Sequence, residues 1–393
     1  MKKIKLSCIY FFSIFFAIYV FDFYATWMDS LCIGSKPEVL KDVREYAFFH
    51  EDVESMKYPV ILSQNWNESQ FYPVSSLSNA KMVVCKEDNG FLVIETDQFG
   101  LRNQREDWRE GIYDYVITGD SFAMGECVDD EETIKGHLSK IGKSVLNLGV
   151  SGNGPTVNLM ALKTFTRKIK ATKVAWLFFE GNDFSDLKTE MTSPIYSEIL
   201  ERSINIEPEE NVKRVDDLYK SRYTRKLQSP LSCDDFMARV YRVGRAAFKL
   251  DQTFSALKSS LRSVLNAWKS KGSENSILEM RPSFATIDML PAYLKVVKRA
   301  HEYAQQSLDS DFLFVYIPDP FRYKADQLQT ELAIKNRILE SVRDMNIEYV
   351  DFDEFIKKKG ISPQTIFSMN GEGHLNERGY YLVANLLESV GAD

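Results

Sequence analysis

Residues 113–122 read YDYVITGDSF, and this stretch decides the fold class. Its first six residues form a run of strand type, and Gly119, Asp120 and Ser121 end that run in a polar turn. A second run of this kind, VAWLFF at 174–179, is apolar throughout, which is typical of a strand buried on both faces. Ligand sites of parallel sheets lie at such strand ends, so these turns are candidates for a functional site.

Strands and helices alternate on both sides of this stretch. Further strands are predicted at 145–148 (VLNL), 312–317 (FLFVYI) and 348–351 (EYVD), after a hairpin of MVV at 82–84 and FLVI at 91–94. Helices are predicted at 133–141, from Pro155 toward Lys170, and at about 292–308, 328–345 and 377–387. This alternation predicts an α/β domain with a parallel sheet and helices on both faces.

The rest of the chain gives the expected domain organisation. We expect an anchor or signal segment at 1–30, a lead-in with short strands at 31–112, and the α/β domain at 113–393. More than 100 residues with little strand signal follow the third strand of the sheet, so a helical insertion is expected at about 190–290. Residues 211–272 within it hold 14 Lys or Arg and 5 Asp or Glu. This basic segment is most simply a solvated helical face, with contact to anionic lipid or acidic polysaccharide as the alternative.

The composition excludes several classes of protein. The 393 residues carry 49 Lys or Arg against 56 Asp or Glu, a net charge of −7, which argues against binding to nucleic acid by the whole chain. The five cysteines form no C-x-x-C, which excludes a zinc ribbon or a thioredoxin-type site. A disulfide among Cys32, Cys85, Cys127 and Cys233 and separate buried thiols both remain open.

The N-terminal segment has the pattern of a membrane anchor. Lys2, Lys3 and Lys5 precede an apolar run, and Leu6–Trp27 comprises 22 residues, enough to span about 30 Å of hydrocarbon. The lysines favour a cytoplasmic N-terminus. A cleaved signal peptide is the alternative, although no small-x-small cleavage site follows. Both interpretations place the remainder outside the cytoplasm, on the periplasmic or extracellular face.

Four short segments carry a resemblance to a known family. In chain order they are GDSF at 119–122, SG at 151–152, GND at 181–183, and His374 within EGHLN. Together they resemble the four blocks of the SGNH hydrolases, or GDSL family, and especially bacterial extracytoplasmic members encoded with surface-polysaccharide genes. The resemblance covers about 110–190 and 290–390, and DQFGLR at 97–102 is similar to a segment of these members. It implies a three-layer α/β/α flavodoxin-like fold and no metal or organic cofactor.

The resemblance also assigns roles to residues. Ser121 matches the nucleophile and His374 its base, and the oxyanion donors are the backbone N–H groups of Ser121 and Gly152 and the amide of Asn182. The chemistry agrees, because a serine hydroxyl needs an adjacent base and imidazole titrates near neutral pH. His374 is the one histidine of four in a turn-rich context. Ala123 occupies the last position of a G-x-S-x-G elbow, which separates this chain from the α/β-hydrolases.

The sequence departs from the family pattern at the acid that orients the histidine ring. Most members have an aspartate three residues before the histidine, and here that position is Gly371. Glu372 is the nearest carboxylate, and we assign the role to it. The alternative is a Ser–His dyad in which a backbone carbonyl orients the ring of His374.

Other residues near these motifs have simpler interpretations. Asp120 and Asp183 are expected in turns or helix caps, and Asp319 in a loop. Cys127 follows Ser121 by six residues, but nothing near it in the sequence would activate its thiol, so a second nucleophile is not expected.

These observations predict a membrane-anchored serine esterase or O-acyltransferase acting on an O-acylated, for instance O-acetylated, surface polysaccharide. A lipid ester is the second substrate class, and proteins of polysaccharide biosynthesis are the expected partners. The alternative from another class is a catalytically degenerate binding or assembly component, which the glycine at position 371 favours.

Overall fold

The computed structural model describes residues 53–55, 73–87, 90–192, 206–228, 284–323, 328–368 and 373–390. The chain divides into two compact units, one of Lys41–Ser221 with Glu279–Asp393 and the other of Met1–Leu40 with Arg222–Leu278. The predicted anchor at 1–30, most of the predicted insertion at 190–290, and Glu372 lie outside the described residues. Within the described ranges, no helix combines the length and the apolar character that crossing a membrane requires.

A small three-stranded sheet precedes the main sheet. Its strands are β1 (Val53–Ser55), β2 (Lys81–Glu87) and β3 (Gly90–Glu95). β1 is parallel to β2, and β2 and β3 are antiparallel, as the predicted hairpin requires.

A five-stranded parallel sheet forms the centre of the larger unit. Its strands are β4 (Ile112–Thr118), β5 (Val145–Asn147), β6 (Lys170–Phe179), β7 (Asp311–Ile317) and β8 (Glu348–Asp351). They lie in the order β5-β4-β6-β7-β8, and every neighbouring pair is parallel. Counted within this sheet, the order is 2-1-3-4-5, which is the flavodoxin-like order. The predicted α/β class with a parallel sheet is confirmed.

Helices cover both faces of this sheet. The α-helices are α1 (Ser121–Met124), α2 (Ile134–Lys140), α3 (Pro155–Phe165), α4 (Asp183–Glu190), α5 (Pro208–Gln228), α6 (Leu290–Tyr303), α7 (Leu328–Asp344), α8 (Phe352–Lys358) and α9 (Glu377–Val390). Residues of α3, α6 and α7 share one buried apolar cluster with the sheet, and residues of α2, α8 and α9 share another. The fold therefore has three layers.

The apolar strands are divided between these two clusters. Along β6, Trp176 and Phe178 belong to the first cluster, whereas Ala175 and Leu177 belong to the second. Successive side chains of a strand point to opposite faces, so a strand covered on both faces must be apolar at every position. This is why the runs at 174–179 and 312–317 contain no alternating polar residues.

Some predicted boundaries were wrong. The helix that begins at Pro155 ends at Phe165 rather than near Lys170, because Lys170 already begins β6. The Thr166 hydroxyl donates to the Leu162 carbonyl in the last turn of α3, a local bond that accompanies the helix end. Ile141, the last residue of the helix predicted at 133–141, follows the end of α2 and is 51% exposed.

The first half of α5 is held against the lead-in. Asn211, which is fully buried, accepts a hydrogen bond from the Val74 backbone N–H and donates one to the Ser75 hydroxyl. Asp216 accepts bonds from both the backbone N–H and the hydroxyl of Ser78. These contacts tie a helix of the predicted insertion to the segment that precedes the main sheet.

Candidate active site

The turn after β4 presents the candidate nucleophile. Ser121 is the first residue of α1, and Asp120 is its N-cap, accepting a hydrogen bond from the Phe122 N–H at 2.9 Å. This capping role agrees with the sequence-based expectation for Asp120. The residue after a strand end is thereby held at the carboxyl edge of the sheet, where ligands of this fold class bind.

The loop before α9 brings His374 to this serine. His374 Nε2 lies 3.1 Å from Ser121 Oγ, although the two residues are 253 positions apart in the chain. The loop is anchored on both sides of the histidine. The Ser368 N–H donates to the His374 carbonyl at 2.8 Å, and Phe367 and Leu375 form an antiparallel bridge.

Asn182 and Gly152 flank the same strand end. Asn182 is the N-cap residue of α4, and its Nδ2 donates to Asp120 Oδ2 at 2.9 Å. Gly152 has φ +73°, a left-handed conformation that favours glycine. It lies in the turn after β5, and this turn bonds to the β4 turn, because the Val150 N–H donates to the Gly119 carbonyl at 3.3 Å.

Two buried carboxyl groups lie beside the turn that contains Ser121. Burial raises the pKa of Asp120, against the opposing effects of its bonds to Asn182 and the Phe122 N–H. Burial raises the pKa of Asp183 well above its ordinary value, and the negative charge of Asp120 adds to the effect. Asp183 is the first residue of α4 rather than its cap, and it accepts a bond from the hydroxyl of Tyr293 at 3.4 Å. The two carboxyl groups together therefore favour retaining a proton.

Two aromatic side chains lie beside Ser121 and His374. The rings of Phe122 and Phe179 are stacked with centroids 3.8 Å apart, and the Phe122 centroid lies 5.1 Å from that of His374. Apolar surroundings lower the local dielectric and strengthen the electrostatic interactions of a developing charge.

A disulfide joins the small sheet to the loop after α1. Cys85 of β2 is bonded to Cys127, and Cys127 Sγ lies 3.6 Å from His374 Nδ1. The sequence left the disulfide open and indicated no group near Cys127 that could activate its sulfur. The structure has the disulfide, and β2 and the histidine loop approach Cys127 only in the tertiary structure.

Glu126 lies beside this disulfide. Its side chain is buried, and a carboxylate oxygen lies within 4.8 Å of both sulfur atoms. Two sulfurs bonded to each other are not thiolate ligands, so this group of Cys85, Glu126 and Cys127 does not fit a metal site in its oxidised state. Glu126 instead accepts a hydrogen bond from the hydroxyl of Ser151, the residue before Gly152.

Arg102 holds the loop after α1 on both sides of Cys127. Its guanidinium donates to the carbonyls of Gly125 and Val128 at 2.6 and 2.8 Å, and to Asp130 at 2.6 Å. Arg102 is 5% exposed and its bonds to the two carbonyls are buried, whereas the side chain of Asp130 is half exposed. The sequence contained a signal for this residue, since Arg102 ends the DQFGLR segment, but no role followed from it.

Two further contacts support the site. The Asn103 amide donates to the Asn147 carbonyl at 2.8 Å and its oxygen accepts from the Asn147 N–H at 2.9 Å, which fixes the end of β5. The fully buried Tyr380 of α9 donates its hydroxyl to the Glu126 carbonyl at 3.1 Å. The lead-in and the last helix thus both bond to turns around Ser121.

A buried glutamate caps α3 next to the turn that contains Gly152. Glu190 accepts bonds from the N–H groups of Thr156 and Val157 at 2.9 and 3.1 Å, and burial raises its pKa to about 7. A Cβ at Gly154 would lie 2.5 Å from this carboxylate, so only glycine leaves room for it.

Not every predicted site residue can be placed. The structure brings Ser121 and His374 into contact and sets Asn182 and the turn of Gly152 beside them. Glu372 lies outside the described residues, so its role as the orienting acid stays a prediction. Asp319 lies in a loop, as expected, and accepts a bond from the Phe321 N–H.

Comparison with known proteins finds only weak structural similarity. No family model and no curated protein matches the chain. Among solved structures, a member of the lipolytic protein G-D-S-L family from Veillonella parvula is similar at TM-score 0.34 and 12% identity, over 72% of this chain and 100% of that chain. LAE5, an alpha/beta hydrolase enzyme from the metagenome of Lake Arreo, is similar at TM-score 0.32 and 14% identity, over 72% and 97%. These scores are too low to transfer a residue's role from either protein.

Proposed function

We propose that the chain is a serine esterase or O-acyltransferase with Ser121 as nucleophile and His374 as base. The observation that carries this proposal is the 3.1 Å contact between Ser121 Oγ and His374 Nε2. Its position adds support. β4 and β6 lie at the point where the strand order reverses, and open α/β sheets bind their ligands at this switch point.

The proposed reaction passes through an acyl-enzyme. Ser121 Oγ forms a bond to the ester carbonyl carbon while its proton moves to His374 Nε2. The resulting oxyanion accepts hydrogen bonds from the N–H groups of Ser121 and Gly152 and from Asn182, and one such donor contributes about 3 kcal/mol. The carbon–oxygen bond to the alcohol breaks, and the alcohol leaves with the proton from His374.

The acceptor in the second half decides the class of enzyme. If water attacks the acyl group on Ser121, the free acid is released and the protein is an esterase. If a sugar hydroxyl attacks, the acyl group is transferred to that sugar. In both cases His374 takes the proton of the attacking hydroxyl and returns it to Ser121 Oγ as the acyl–serine bond breaks, so neither route needs a metal or an organic cofactor.

We propose an O-acylated, for instance O-acetylated, surface polysaccharide as the substrate, outside the cytoplasm. The lysine-flanked apolar segment at 1–30 supports attachment to the membrane, with signal cleavage as the alternative. The Cys85–Cys127 disulfide supports the location, because disulfides persist in oxidising compartments. Proteins of polysaccharide biosynthesis are the proposed partners. A lipid ester is the second substrate class.

A fluorophosphonate probe tests the nucleophile directly. We expect the folded wild type to be labelled, Ser121→Ala to be unlabelled, and His374→Ala to be labelled at least a hundredfold more slowly. Ser139→Ala, at an exposed position of α2, is the matched control and should react like the wild type. Folded wild type that takes up no probe would contradict the enzyme proposal and favour a binding or assembly role. Labelling that survives Ser121→Ala would contradict the assignment of the nucleophile.

Acyl chain length and acceptor separate the substrate classes. Short acetyl esters and purified acetylated polysaccharide are compared with long-chain esters presented in vesicles. Faster acetate release from the polysaccharide supports the proposal, and faster turnover of long-chain esters supports the lipid alternative. Transfer of labelled acetyl to an added glycan identifies the acyltransferase route.

A further inference from the structure

The disulfide meets the catalytic histidine on the side opposite the serine. His374 Nε2 faces Ser121 Oγ at 3.1 Å, and His374 Nδ1 faces Cys127 Sγ at 3.6 Å. In the oxidised protein this sulfur is bonded to Cys85 and carries no proton or charge. The state of this disulfide therefore determines whether a neutral disulfide sulfur or a thiol lies beside Nδ1.

We propose that the Cys85–Cys127 disulfide is a redox switch and that its reduction creates a reactive thiolate at Cys127, paired with His374. This inference rests on the proposed role of His374 as the base. Reduction by a dithiol is a two-electron exchange in which the dithiol is oxidised to its own disulfide and each cysteine gains a proton. The product has a free thiol at Cys127 beside the imidazole and a second thiol at Cys85.

The proton balance predicts that esterase activity falls on reduction. As a base, neutral His374 carries its proton on Nδ1 and keeps Nε2 free for the proton of Ser121. When the Cys127 thiol ionises, its proton is taken up at Nε2, and Nδ1–H donates to the thiolate. The imidazolium that results has no lone pair left for Ser121. The same positive charge stabilises the thiolate, which is the nucleophilic form of cysteine.

The loop keeps Cys127 in place without the disulfide. Arg102 bonds to the carbonyls of Gly125 and Val128, and Tyr380 bonds to that of Glu126. None of these bonds involves sulfur, so reduction leaves Cys127 held beside the ring by contacts on both sides of it in the chain.

The sulfur atoms of Cys85 and Cys127 share one neighbouring carboxylate but differ in their other neighbours. The Glu126 carboxylate lies within 4.8 Å of both and opposes a negative charge on either. The Arg102 guanidinium bonds to Asp130 and to the carbonyls of Gly125 and Val128, on either side of Cys127 in the chain. The contact with His374 is made by Cys127. We therefore expect the reactive thiolate at Cys127 rather than at Cys85.

Three variants separate this switch from a purely structural disulfide. Cys85→Ala leaves Cys127 free beside His374, Cys127→Ala leaves Cys85 free, and the double variant has neither thiol. We expect the esterase kcat of Cys85→Ala to be at least tenfold below that of the double variant, with Cys127→Ala close to the double variant. If all three lose activity equally, in proportion to their loss of thermal stability, the inference is overturned.

Alkylation gives a readout that does not need ester turnover. With iodoacetamide at pH 6, the sulfur of Cys127 forms a bond to carbon and iodide leaves. Peptide mapping locates the product. We expect Cys127 in Cys85→Ala to react at least tenfold faster than Cys85 in Cys127→Ala, and the excess to disappear in Cys85→Ala/His374→Ala. Equal rates at the two cysteines overturn the inference even if the wild type is an active esterase. Fast alkylation that depends on His374 upholds the thiolate pair even if the wild type hydrolyses no ester.

Discussion

Asn182 Nδ2 donates a hydrogen bond to Asp120 Oδ2 at 2.9 Å, and this bond joins the ends of β6 and β4 beside Ser121. The amide carries two hydrogens, so one can hold the carboxylate while the other serves an oxyanion. Asp120 uses its other oxygen to cap α1 at the Phe122 N–H. The buried carboxylate thereby positions both the serine and the proposed oxyanion donor.

Asn182→Ala should lower kcat/KM about a hundredfold, because it removes an oxyanion donor. Asp120→Asn should lower kcat about tenfold. The Asn side chain has one accepting oxygen, and its NH2 group must face either the Asn182 amide or the Phe122 N–H, which are both donors, so one of the two hydrogen bonds is lost. Steady-state kinetics on an acetyl ester checks both, with Asp288→Asn at an exposed position as the control. Wild-type kcat/KM in Asn182→Ala would remove this residue from the oxyanion role.

Arg102→Ala should destabilise the fold and slow the reaction together. It leaves the buried carbonyls of Gly125 and Val128 without their donor, and each unsatisfied group costs about 1–3 kcal/mol. Arg102→Lys cannot reach all three partners and should recover only part of the loss. Thermal unfolding and kcat are measured side by side. Arg105→Ala, an exposed neighbour, should change neither, and an Arg102→Ala protein with wild-type thermal stability contradicts the predicted role.

Glu190 should make stability fall as pH rises through neutrality. Its folded-state pKa of about 7 exceeds the ordinary value of 4.5, so the folded state binds a proton that the unfolded state has lost. The stabilisation is complete below pH 4.5 and is lost as pH rises through about 7. A shift of this size corresponds to about 3 kcal/mol at most.

Urea unfolding at pH 5 and pH 8 tests this effect. The wild type should lose more stability over that interval than Glu190→Gln, which cannot titrate, and the exposed Glu209→Gln should behave like the wild type. The charge of Glu190 also raises the pKa of Asp183, so the difference between the two proteins includes this second carboxyl group, which acts in the same direction. Identical pH dependence of wild type and Glu190→Gln would count against the raised pKa.

Glu372 should prove to orient His374. Both Glu372→Ala and Glu372→Gln are expected to lower kcat at least tenfold in ester hydrolysis, since neither side chain offers a carboxylate to the ring. Glu377→Ala, in the first turn of α9, controls for the loss of a nearby negative charge. If neither variant lowers kcat tenfold, the Ser–His dyad is the better description.

Much of the sheet could be predicted because its strands are buried on both faces. The run at 174–179 and the one at 312–317 are apolar at every position, and that pattern suits few other elements. The end of α3 could not be predicted in the same way. Lys170 starts a strand because it pairs with Ile112 of β4, and pairing with a distant segment leaves no local signal.

The residues of the candidate site differ in the same way between local sequence signals and long-range contacts. Ser121, Gly152 and Asn182 lie in polar turns at predicted strand ends, and the resemblance to the SGNH hydrolases gave them and His374 their roles. No role was predicted for Arg102, Glu126, Tyr380 or Cys127, because each acts through a partner far away in the chain. Tyr380 reads as an ordinary apolar-face residue of α9, and only packing brings its hydroxyl to the Glu126 carbonyl.

The amino-acid sequence by itself determined the α/β class and the polar turns at the strand ends, since burial pattern and turn chemistry are local properties of the chain. Only the tertiary structure decided that Cys85 bonds to Cys127 and that this sulfur lies 3.6 Å from His374 Nδ1. The physical reason is that three segments, β2, the loop after α1 and the loop before α9, meet only when sheet and helices pack. Contacts between segments so far apart arise from the fold as a whole.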